Sequence, residues 1–79
     1  MNVQQEVLRA VDEVLSLGGR AAAFTRDTSL GTMLDSMAVV GLLTLIQERL
    51  DIVIDDDEIV GDNFATVGAL VDLVAAKLD

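Results

Sequence analysis

The chain has 79 residues, enough for one domain over 1–79, and a domain this small buries only roughly 60% of its unfolded surface. It contains no cysteine and no histidine, which excludes a disulfide framework, a zinc cluster and any Ser-His-Asp or Cys-His arrangement. Fourteen acids against five bases give a net charge of −9, which argues against nucleic-acid binding and favours partners with basic patches.

Apolar residues recur at Val3, Val7, Val11 and Val14, with Leu8 and Leu15 beside them, and this spacing predicts a first helix. Acids at Glu6, Asp12 and Glu13 make the segment unlike a signal peptide, and no uncharged apolar run is long enough to span a bilayer. A cytoplasmic, monomeric protein without membrane insertion is the expectation. Gly18 and Gly19 are expected to end the helix. The stretch to Leu34 is long for a loop, so a helical turn is expected at Arg20–Phe24, with Phe24 and Leu30 as anchors.

A second helix is predicted from about Ser36 to Leu50, its stripe formed by Val39, Leu42, Leu43, Ile46 and Leu50. In "DIVIDDDEIVGDNFA" the first residues have strand composition but nothing to pair with. Asp55 and Glu58 stand three apart, as in a capping box, and predict a short third helix near Asp56–Val60 that Gly61 ends. Ile54, Ile59 and Phe64 would cover the open end of the core. A last helix begins near Thr66 as N-cap and runs through Val67, Leu70, Val71, Val74 and Leu78. The fold class is all-α: a small four-helix bundle of three longer helices and a short third one.

Little here suits catalysis. A Ser-Lys dyad would need Lys77, the single lysine, from the far end of the last helix. A calcium loop starting at Asp56 puts Gly61 at the turn, yet Val60 and Val67 fall where oxygen ligands are required. Weak divalent-ion binding by Asp55, Asp56, Asp57 and Glu58 is the remaining metal expectation. Repulsion among the acids from Asp51 to Asp62 predicts that salt or divalent cations raise the melting temperature.

The stretch "LGTMLDSMAVV", Leu30 to Val40, places an acid, a hydroxyl and a thioether where loop becomes helix. Read alone, Asp35 and Ser36 are caps and Met37 is core. A second reading makes the helix tip, with its unpaired N–H groups and partial positive charge, a seat for a phosphodiester on Ser36. Met37 would then offer a deformable apolar contact.

The run "LDSM" opening an amphipathic helix resembles the attachment site of acyl carrier proteins, a family that includes peptidyl carrier domains. The likeness extends from about residue 3 to 78, through the first helix, the long loop, the acidic short helix and the threonine that starts the last one. The resemblance implies that Ser36 accepts 4′-phosphopantetheine from coenzyme A through a phosphopantetheinyl transferase. The arm's thiol would hold acyl or aminoacyl groups as thioesters, supplied and used by loading enzymes, synthases or acyltransferases. It implies a free-standing, non-catalytic shuttle in a fatty-acid, polyketide or related specialised pathway.

Two positions depart from the family. Met33 stands where a glycine three residues before the serine is common, with Gly31 nearby. The outward face of the second helix carries Ala38 and Gly41, with Thr44 and Leu45 nearby, where acids are usual, and Glu48 is the first acid after Asp35. The expected recognition residues are therefore Asp35, Met37, Ala38, Gly41 and Glu48, on a surface read by shape more than by charge. The competing reading is an acidic helical adaptor that binds a basic partner helix and leaves Ser36 unmodified.

Overall fold

Asn2 starts the first helix: its carboxamide oxygen accepts the Gln5 amide hydrogen at 3.0 Å. The computed structural model describes residues 2–78, with three α-helices: α1 (Val3–Leu15), α2 (Ser36–Leu50) and α3 (Val67–Leu78). The expected α1 stripe turns inward: Val7 and Val11 are fully buried, and Val3 and Val14 pack at the edge. α1 packs against both α2 and α3 and is the central element. From α2 the core takes Leu42, Leu43, Ile46 and Leu50, and from α3 Val67, Leu70, Val71 and Val74.

Helix ends differ from expectation. α1 stops at Leu15, and Ser16 rather than a glycine takes the left-handed conformation (φ 55°). Asp51 closes α2 in the same way (φ 53°). Gly18 (φ 63°) and Gly19 (φ 97°) serve the next turn, where the chain reverses into a 3₁₀ turn at Arg20–Ala23. The Asp12 carboxylate fixes that turn, accepting the amide hydrogens of Gly19 at 2.9 Å and Ala21 at 3.0 Å. The anchors behave as expected, with Leu30 fully buried and Phe24 half-buried against the core.

The long loop is then stitched to the start of α3. Leu30 donates to the Ala65 carbonyl (2.8 Å), Val67 to Thr28 (3.0 Å) and Gly68 to Arg26 (2.9 Å), around a single bridge between Ser29 and Thr66. Gly68 permits this approach, because a Cβ there would lie 3.1 Å from the Arg26 carbonyl oxygen. Thr66 caps α3 as expected, its hydroxyl accepting the Ala69 amide hydrogen at 3.1 Å.

The expected short third helix is corrected to two 3₁₀ turns, Asp56–Glu58 and Gly61–Phe64, so Gly61 opens the second rather than ending the first. Between them Ile59 and Val60 leave helical geometry (ψ 71° and 153°), in keeping with the extended preference of adjacent β-branched residues. Ile54 and Phe64 cover the core, but Ile59 does not: it is 39% exposed. Among the described residues no helix is long and apolar enough to cross a membrane.

Candidate functional site

The loop-to-helix transition resolves the roles of its acid and its hydroxyl. Asp35 is the N-cap of α2, its Oδ1 accepting the Ala38 amide hydrogen at 2.8 Å, while its carbonyl accepts that of Val39 at 3.0 Å. The carboxylate therefore does the capping, and Ser36 is the first helical residue, exposed to solvent. Among the described residues the Ser36 hydroxyl makes no hydrogen bond. The amides of Ser36 and Met37 have no helical acceptor, so two N–H groups remain open at the positive end of α2. Met37 is 81% exposed and is not core.

Met33 substitutes for the usual glycine without strain. Its amide donates to the Leu30 carbonyl at 3.0 Å and its side chain packs against the core edge. Gly31 has ordinary negative φ and open space where a Cβ would sit, so no glycine is demanded there.

Beside Ser36 lies an open apolar groove of ≈ 420 Å³, bordered by Leu34, Val39 and Val40 on one side and Ile59, Val60 and Phe64 on the other. The expected recognition residues separate along α2. Asp35, Met37, Gly41 and Glu48 are exposed, Ala38 is half-buried, and Leu45 packs against the core instead of facing outward. Val40 joins them at 64% exposure, a member of the surface that its place beside the buried stripe concealed. From Ser36 to Gln47 the helix carries no charge.

A larger hollow, ≈ 910 Å³, lies along α1 and includes Gln5, Arg9, Asp12, Glu13 and Arg49. Its charges are already committed: Arg49 pairs with Glu13, Arg9 reaches Glu6 at 3.5 Å, and Asp12 holds backbone amides. Ser36 is not part of it.

The four acids expected to share a cation are only partly brought together. Carboxylate oxygens of Asp55, Asp57 and Glu58 lie within 4.8 Å of one another, and Asp56 stands outside the group. Lys77 from α3 contacts Glu58 Oε1 and lies 3.6 Å from Asp55 Oδ2, so a cation of the chain itself already meets two of the three. The Lys77 ammonium, followed by the Asp55 N–H that donates to Glu58 Oε1 at 3.0 Å, holds the Glu58 carboxyl below its ordinary range. Glu58 in turn holds the Lys77 ammonium above its usual range. Lys77 is thus kept protonated and is unsuited to act as the base of a Ser-Lys dyad.

The chain is similar to known proteins in sequence and in fold. A family model described as a phosphopantetheine attachment site matches residues 5–74. The fold superposes on the solution structure of a holo acyl carrier protein from Nitrosomonas europaea with a TM-score of 0.90 and 38% identity, covering 99% of this chain and 98% of that one. A comparison with curated proteins returns no match. Three helices with these caps, an exposed serine at the tip of the second, and agreement over nearly the whole length place the chain in the acyl carrier protein family, with covalently bound 4′-phosphopantetheine as its cofactor.

Proposed function

We propose that Ser36 is the attachment residue and that the protein is a non-catalytic shuttle for acyl or aminoacyl groups. The observation that carries this reading is the division of labour at the tip of α2: Asp35 caps the helix, leaving the Ser36 hydroxyl exposed and unbonded. The residues suit the group. Oγ of Ser36 is the nucleophile, open N–H groups at the helix tip lie beside the resulting phosphodiester, and the groove from Leu34 to Val60 offers an apolar bed. Oγ forms the new bond to the phosphorus that carries the pantetheine arm as the pyrophosphate of coenzyme A breaks and adenosine 3′,5′-bisphosphate leaves. Among the described residues no base contacts the Ser36 hydroxyl, so its proton passes to the transferase. When bound, the cofactor supplies a thiol on a long arm, on which cargo is held as a thioester. The chain positions that arm so that cargo reaches each docked enzyme at high effective concentration.

The partners on this reading are a phosphopantetheinyl transferase and the enzymes that load and use the cargo in a fatty-acid, polyketide or related specialised pathway of the cytoplasm. They meet Asp35, Met37, Ala38, Gly41 and Glu48, with Val40 added. This surface is apolar at its centre and charged only at its ends, so shape complementarity outweighs charge in recognition. Family membership disfavours the unmodified adaptor. Intact mass after incubation with coenzyme A and a promiscuous transferase tests the assignment. A gain of one phosphopantetheinyl group in the wild type and none in folded Ser36→Ala is expected; a gain that survives the substitution overturns Ser36, and no gain in either overturns the carrier.

A further inference from the structure

The segment from Asp55 to Phe64 forms one wall of the groove beside Ser36, through Ile59, Val60 and Phe64. Its polar contacts are almost entirely internal. Glu58 donates to the Asp55 carbonyl at 2.9 Å, Ile59 to Asp56 at 3.1 Å and Asn63 to Val60 at 3.0 Å. The Asn63 carboxamide donates back to the Glu58 carbonyl at 2.7 Å. Apolar pins hold the ends: Ile54 and Phe64 are each 6% exposed. Between these pins, among the described residues, the one polar tie to another element is Lys77 of α3, against Glu58 and Asp55.

We propose that Lys77 is a latch: its contact with Glu58 and Asp55 holds the 55–64 strap against the body of the protein, and its release lets the strap move outward and widens the groove beside Ser36. The strap is loaded to move. Asp55, Asp56, Asp57, Glu58 and Asp62 crowd like charges into a short segment, and Lys77 meets two of them, Asp55 and Glu58. Glu58 is the junction, because it takes the ammonium on its side chain and the Asn63 carboxamide on its carbonyl. Loss of that one contact therefore loosens both 3₁₀ turns and the Ile59–Val60 wall between them. For the carrier this deepens the reading of Ser36, on which its functional meaning rests: the latch sets how much apolar cover lies beside the arm.

Amide hydrogen exchange on the full chain tests the latch, comparing wild type with Lys77→Gln, Glu58→Gln and the conservative Lys77→Arg. The amides of Glu58, Ile59 and Asn63 are expected to exchange several-fold faster in the two glutamine variants and near wild-type rates in Lys77→Arg. Those of Val11 and Leu70 should stay unchanged. Unchanged strap rates in folded Lys77→Gln, or equal acceleration across α1 and α3, overturns the proposal. Intact mass of the same samples separates the two readings. Uptake of the arm with an unaltered strap sinks the latch alone, whereas no uptake by the wild type sinks the carrier and leaves the exchange result standing.

Discussion

Asp12 shows how one side chain on a helix shapes a distant turn. Its carboxylate holds the amides of Gly19 and Ala21, fixing the 3₁₀ turn over which the chain leaves α1. Hydrogen bonds to a charged acceptor contribute about 1.5–3 kcal/mol each, and truncation also leaves the part-buried Ala21 amide unpaired. Asp12→Ala is expected to cost about 2–3 kcal/mol in urea denaturation while Ser36, on another element, still takes up its arm. Arg9→Ala, which removes one exposed pair, should cost less than about 0.5 kcal/mol in the same assay. The sequence reading missed Asp12, since on a helical wheel it is one more polar residue and its donors come from backbone seven and nine positions away. Ser36 stood out only through the resemblance carried by "LDSM", since read alone it was as good a cap as Asp35. Which of the two caps α2 is settled by backbone geometry at the helix start, where Asp35 accepts the Ala38 amide hydrogen and Ser36 is left exposed.

At the scale of elements, periodicity located all three α-helices and nearly all of their buried residues, because burying a stripe requires that spacing whatever the partner. It failed over 55–64, where an acidic turn, a β-branched pair and a glycine each impose different backbone geometry within ten residues. The Lys77–Glu58 contact was invisible for another reason: its partners are brought together only by the packing of α3. That contact makes the strap pH-dependent, and the sign follows from the shifts. Glu58 is depressed below its ordinary 4.5, so its contribution is complete above that value and is lost as pH falls through the folded one. Lys77 is raised above 10.5, so its contribution is complete below that value and is lost as pH rises through the folded one. Carbon-13 titration of the Glu58 carboxyl should give a midpoint below 4.5, moving upward in Lys77→Gln. Asp55 shares the ammonium, and Asp56, Asp57 and Asp62 lie in the same strap, so the measurement is made at the Glu58 carboxyl itself.

For the whole molecule, a net charge of −9 sits around a helix that carries none between Asp35 and Glu48. On the proposed reading, long-range attraction speeds the approach of basic partners, and the exposed Met37 and Val40 are the residues that decide contact. Binding of the transferase, measured by calorimetry, should weaken by about tenfold or more in Met37→Glu or Val40→Glu, the scale of an apolar anchor. Raising salt should slow association without an equal loss of the apolar contribution. Equal affinity in the two variants would move recognition elsewhere. Gly41 softens this helix by about 1 kcal/mol relative to alanine.

The stitching of Leu30 to Ala65 and of Thr28 to Val67 has a consequence for how the chain divides. It cinches the polypeptide at a neck, with α2 and the acidic strap forming an excursion of residues 31–64 whose two ends meet, while α1 and α3 lie outside it. Local fluctuations of that excursion need not break the neck. The strap that walls the groove beside Ser36 can thus move while the neck and the packed core of α1, α2 and α3 keep their shape.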